Sequence, residues 1–245
     1  MALSTLQFIN GLSSLILVII FTIVGISIAL RYKKSKERMY ILFGITWIGV
    51  VEAYIAVSIS FIIALFNGVG LENNPEIYFL IGISFYPVST IIWITAFTDI
   101  LYKKKQKILQ LIFIVIGTIF EVIFFYLLFT VPSLVGILLS PVDSEFGLTV
   151  RIYILFSLGV ILFTGIILAV ASVKSENPEH KIRGIFIILT LITFVIGAIL
   201  DTIEINIILL TIVRLIMISS AVEFYIAFVM PKWVKILFKI PLNNK

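Results

Sequence analysis

Seven long apolar runs dominate the chain, near residues 8–30, 40–66, 77–101, 108–129, 149–173, 185–203 and 207–230. Each reaches the roughly 17–25 residues that a helix needs to cross about 30 Å of hydrocarbon. Hydrocarbon offers no water to the backbone, so a segment of this kind has to satisfy its own N–H and C=O groups as a helix. The predicted fold is therefore all-α, a polytopic membrane protein with seven transmembrane helices.

The cations predict the threading. Of the 18 lysines and arginines, all but Arg151 and Arg214 fall in the connections 31–38, 103–107 and 174–183 or in the tail 232–245. The alternate connections, 67–76, 130–148 and a short turn near Asn206, hold none. Positively charged loops stay on the cytoplasmic side. The expected topology is thus N-outside/C-inside, as a multi-pass protein of the cell membrane. The first run has no cation ahead of it and exceeds a signal-peptide core, so it is expected to be retained. Two units follow: a seven-helix transmembrane domain, 1–230, and a short basic amphipathic cytoplasmic tail, 231–245.

Composition excludes several function classes. Charged residues make up 13% of the chain, against about a quarter in soluble domains, and the connections are too short to form one. The net charge of +5 sits beside the membrane, so it points to anionic inner-leaflet lipids of the bilayer and not to nucleic acid. There is no cysteine, and the single histidine, His180, lies in a basic connection. No metal site and no cofactor are expected. A retinal Schiff base would need a lysine inside the last span, where none occurs. No nucleophile elbow, metalloprotease helix or phosphate loop appears, so the chain is not expected to be an enzyme.

The connections carry some local information. In 130–148, Pro132 and Pro141 flank six apolar residues, 134–139, too few to span; the segment is expected to lie in the interface or fold back as a lid. Pro87 should kink the third span. The short turn near Asn206 makes the last two spans an antiparallel hairpin. Asp99 is expected to form an exposed helical ion pair with Lys103, and Arg151 to snorkel at the outer surface.

The informative side chains are the ionisable ones at membrane depth, where a central charge costs about 2.5–3.5 kcal/mol unless it is paired, neutralised or lining a cavity. Glu52 and Glu121 fall near mid-span; Asp201, Glu204 and Arg214 fall toward the outer surface. Glu52 shares a helical face with Gly49, Ala53, Ala56 and Ser60, and Asp201 and Glu204 share one with Thr190, Thr193 and Gly197. Such small-residue faces point into a bundle. The expectation is an outer-half cluster of Arg214 with Asp201 and Glu204, with Glu52 and Glu121 beneath it, as a binding or proton site. One arginine cannot neutralise four acids, so Glu52 or Glu121 should carry a proton, a cation or a ligand amine. Alternatively, these acids are hydrogen-bonded glue between helices. Glu223 lies about 180° round its helix from Arg214 and needs a different neighbour.

In the tail, Trp233, Ile236, Leu237 and Ile240 recur at helical spacing, with Lys232, Lys235 and Lys239 opposite. This predicts a membrane-surface anchor or a docking arm for a cytoplasmic protein partner.

The stretch from Ile212-Val213-Arg214-Leu215-Ile216 to Phe228-Val229-Met230-Pro231-Lys232-Trp233-Val234-Lys235 resembles the ending of a broad group of uncharacterised archaeal seven-helix membrane proteins. It is also similar, more faintly, to the seven-helix input modules that precede microbial histidine kinases. The sensor resemblance implies a module that changes packing in response to a membrane or small-molecule cue. The sequence ends without a kinase domain, so a sensor is expected to need a separate partner. Two functions are therefore expected: a receptor-like, sensory or scaffolding module signalling through a cytoplasmic partner, or a small-solute or proton-coupled transporter with a 3+1+3 helix plan.

Overall fold

The computed structural model describes residues 3–201 and 207–241. Eleven α-helices are found among them: α1 (Thr5–Leu30), α2 (Tyr32–Ser35), α3 (Met39–Gly49), α4 (Glu52–Asn67), α5 (Pro75–Ile83), α6 (Tyr86–Leu101), α7 (Gln106–Thr130), α8 (Leu148–Val173), α9 (Pro178–Asp201), α10 (Ile207–Val229) and α11 (Lys232–Leu237). Six of the spans built from them are long and apolar enough to cross a membrane, and seven when the bent pair α3–α4 counts as one. The chain is a helical multi-pass membrane protein.

Local sequence explains the element ends. The Ser4 hydroxyl accepts from the Gln7 amide and the Gln7 side chain accepts from the Ser4 amide, a reciprocal cap that satisfies two orphan donors. The α1 helix of 26 residues is about 39 Å long at 1.5 Å per residue, enough to span. It buries Gly11, Ser14, Leu17, Phe21, Val24, Gly25 and Ile28 and leaves Ile16, Ile19, Ile23 and Ile26 outward. That is one inward stripe and one lipid-facing stripe. At Gly25 a Cβ would lie 2.6 Å from the Gly44 carbonyl oxygen, and a Cβ at Gly44 would lie 2.4 Å from that of Gly25. Backbone meets backbone there, which is how small residues bring α1 onto α3.

The helices close a ring in which α1 packs on α3, α3 on α6, α6 on α8, α8 on α9, α9 on α10 and α10 on α1; α7 lies outside, against α6. Aromatic side chains fill the interior. Trp47 is stacked between Phe21, at 5.1 Å between ring centres, and Phe224, at 3.8 Å. Phe43 bridges Trp93 and Phe228. A second apolar cluster, with Phe61, Tyr78, Phe79, Phe120, Phe124 and Tyr153, fills the end away from the basic connections.

Two helices are broken near mid-depth. The α3 and α4 segments meet at 52° across Val50 and Val51. The α5 and α6 segments are interrupted at Ser84 and Phe85, just before Pro87. Proline lacks an N–H and crowds the preceding turn, so backbone groups are released there that something else has to satisfy.

The segment 130–148 departs from helix. Its strands β1 (Gly136–Ser140) and β2 (Asp143–Phe146) form an antiparallel hairpin whose register shifts after Leu138. It folds back onto the bundle: Val135 and Val142 are buried, and a Cβ at Gly136 would lie 2.6 Å from the Phe79 ring. Arg151 does not simply snorkel. Its guanidinium donates to the Phe146 carbonyl and the Glu145 carboxylate, pinning the hairpin to α8.

Candidate functional site

Arg214, on α10, is 5% exposed and lies 3.2 Å from Asp201, on α9. The Tyr54 hydroxyl donates to the other Asp201 oxygen at 2.6 Å, and its ring lies under the guanidinium at 4.3 Å. Arg214 also donates to Asn10 Oδ1 at 3.3 Å, while Asn10 Nδ2 donates to the Val142 carbonyl of the hairpin at 3.0 Å. The buried ion pair is thus wired to the hairpin through one amide. Arg214 Nε and Nη1 have no hydrogen-bond partner among the described residues. Glu204 lies outside the described residues.

Glu52 and Glu121 do not join this cluster. Glu52 is 4% exposed, and its Oε1 accepts from the Phe85 amide at 2.6 Å. The break before Pro87 frees that amide, and Glu52, in the first turn of α4, caps it. One carboxylate therefore joins the two broken helices at the start of both distal segments, where the exposed N–H groups favour negative charge. Its other oxygen, Oε2, is buried without a hydrogen-bond partner, as is the Ser89 hydroxyl one turn beyond Phe85. A Cβ at Gly49 would fall 1.9 Å from that hydroxyl, so only glycine admits this approach. The small-residue face of Glu52 is accordingly the seam with α5 and α6: Gly82 fits against Ala56, and the Ser60 hydroxyl accepts from the Leu71 amide.

Glu121 sits on α7, outside the ring. It lines a groove of about 480 Å³ between α6 and α7 with Pro87, Val88, Ile91, Ile114 and Val122. The physical reason that the acids separate is the position of α7, which packs on α6 and not on α10. Glu223 accepts from the Thr193 hydroxyl at 2.7 Å, so it has a neighbour on α9 and shares no site with Arg214.

The basic connections hold structure as well as charge. Asp99 is not an exposed pair with Lys103 alone: its side chain is 10% exposed and also accepts from Arg38, before α3, and from Gln106 Nε2 at 2.7 Å. Arg31 donates to the Val229 carbonyl, and Arg183 donates to those of Ala227 and Phe228 at 3.0 Å. These are orphan carbonyls at the end of α10, which Pro231 prevents from continuing. In the tail, Trp233, Ile236 and Leu237 are exposed together with Lys232 and Lys239. Lys235 is instead paired with Glu179 at 2.6 Å. Ile240 leaves the predicted outward face because α11 stops at Leu237 and Lys239 takes a positive φ of 53°, folding Ile240 back against Met230 and Val234.

Asn10, Tyr54, Ser89, Arg38 and Gln106 were not singled out in the sequence. Only Asn10, a lone amide in an apolar run, carried a local signal. The others are defined by neighbours distant in sequence. No metal-binding group of three His, Cys, Asp or Glu side chains occurs among the described residues. Comparison of the chain with protein-family models, with curated proteins and with solved structures gives no match.

Proposed function

We propose that the chain is a receptor-like sensory module of the cell membrane, with seven spans, the N-terminus outside and the C-terminus in the cytoplasm, which passes a change in packing to a cytoplasmic partner. One observation carries this reading. Two helices broken at membrane depth are joined at their breaks by buried hydrogen bonds, from the Phe85 amide to Glu52 and from the Tyr86 hydroxyl to the Val50 carbonyl, and the same helices are tied again at the basic end through Arg38 and Asp99. A change at the upper contact would reorient α3 against α6 and so move the basic connections. The exposed apolar and basic residues of α11 would hold that end at anionic lipid. The faint likeness to histidine-kinase input modules points the same way.

Transport is the second reading, favoured by the broken helices themselves, since discontinuous spans near the midplane build many transporter sites. Against it stands the aromatic pile around Trp47 that closes the ring interior.

The chain has no cysteine, so spin labels can be placed without removing native thiols. Labels at Lys34→Cys and Lys104→Cys in nanodiscs would report the basic end. Glu52→Leu removes the acceptor for the Phe85 amide and is expected to shift the distance distribution; Glu52→Gln keeps a carbonyl acceptor and is expected to preserve it. An unchanged distribution in a folded Glu52→Leu protein defeats the sensory reading. Coupled solute uptake in proteoliposomes that is lost in Glu52→Leu would replace it with transport.

A further inference from the structure

The α6–α7 groove has a chemistry of its own, independent of whether the hinge signals. Its lining is almost wholly apolar, and Glu121 is the one ionisable group in it. No hydrogen bond reaches either carboxylate oxygen from the described residues, and Oε1 is enclosed by protein without a partner. None of the ion pairs among the described residues includes it. A carboxyl so placed lacks a positive donor, and the opening through which one could come faces lipid: Ile114 and Val122, on its rim, are 45% and 64% exposed.

We propose that this groove binds a hydrophobic amine, a cationic nitrogen carried on an alkyl or aryl body, which enters from the bilayer and pairs with Glu121. Three features select that class. The charge is complementary, because an ammonium supplies the donor that the carboxylate lacks. The volume of about 480 Å³ falls within the range of sites for small organic ligands, about 300–1,000 Å³. The depth excludes the amine of an aminophospholipid headgroup. Glu121 is nine residues from the nearer end of α7, about 14 Å along the axis at 1.5 Å per residue, whereas headgroups remain at the interface. Pro87 forms one wall, and a Cβ at Gly117 would touch it at 3.1 Å. The occupant would therefore lie directly against the break between α5 and α6.

The test is photolabelling of the full chain in nanodiscs with a dimethylalkylamine carrying a diazirine in a twelve-carbon chain (about the half-thickness of the hydrocarbon). Labelled peptides are then mapped by mass spectrometry. Saturable labelling is expected on α6 and α7 around Ile91 and Val122, competed by unlabelled dimethyldodecylamine and not by dodecanol. Glu121→Gln is expected to lower that labelling about tenfold. Val122→Trp, at an outward position that folding tolerates, is expected to do the same by filling the opening. Equal competition by dodecanol, wild-type labelling in Glu121→Gln, or saturable labelling elsewhere only would each overturn the proposal. Loss of labelling on self-association would show that a second copy covers the groove, and would overturn it too.

Discussion

Breaking the Arg214–Asp201 pair one partner at a time, and then both together, isolates the energetics of the buried cluster. Arg214 is 6% and Asp201 18% exposed at the side chain, so neither charge is rescued by water when its partner goes. Arg214→Met leaves Asp201 with the Tyr54 hydroxyl as its one partner among the described residues. Asp201→Leu leaves Arg214, among the described residues, with one bond to Asn10 and the face of Tyr54. Removing one member of a buried pair costs about 3–5 kcal/mol, whereas replacing both by apolar residues is often close to neutral. We therefore expect each single variant to lose about 3 kcal/mol and the double variant well under the sum of about 6, a coupling of about 3 kcal/mol or more. Steric trapping in bicelles measures unfolding free energies on this scale. If the double variant equals the sum of the singles to within about 0.5 kcal/mol, the two charges are not partners and the cluster has been misread.

Other outcomes follow from the same geometry. Gly25→Leu drives a side chain into the Gly44 carbonyl, so it should destabilise by about 2 kcal/mol or more, as overpacking does, and lower the thermal midpoint in detergent. Asn10→Ala cuts the link between Arg214 and the hairpin; amide exchange at Val142 and its neighbours should quicken while exchange in α8 stays unchanged. Arg183→Ala strips two carbonyls at the end of α10 of their donor and should fray its last turn, with Arg183→Lys restoring part of the protection. Single cysteines at Lys104 and Leu139 should be modified from opposite faces of sealed vesicles; modification from the same face would refute the proposed threading.

Some of the architecture was legible because it depends on local chemistry. Apolar runs of spanning length have to become helices in lipid whatever surrounds them, and the proline before α10's successor, Pro231, stops that helix on its own. The small-residue face around Glu52 could be read from helical spacing, and so could the inward direction of Asp201. What could not be read is which helix each face meets. Glu52 and Glu121 share a type and a depth, and position along their spans groups them beneath Arg214; the placement of α7 outside the ring separates Glu121 from both. The hairpin at 136–146 was hidden for a related reason. Its apolar residues have no period that marks a strand, and it is stabilised by Phe79 of α5 and Asn10 of α1, which come from two other elements.

By itself, then, the sequence determined the solvent of this protein, the helical state of its spans and the ends at which positive charge gathers, because each follows from the transfer of nearby residues into lipid. Tertiary structure alone decided that Asp99 is a four-way junction and not a surface pair, that Phe85 offers Glu52 a free amide, and that Glu121 faces a groove without a cation. Those facts depend on side chains brought together from distant positions, and no rule of spacing along one helix contains them.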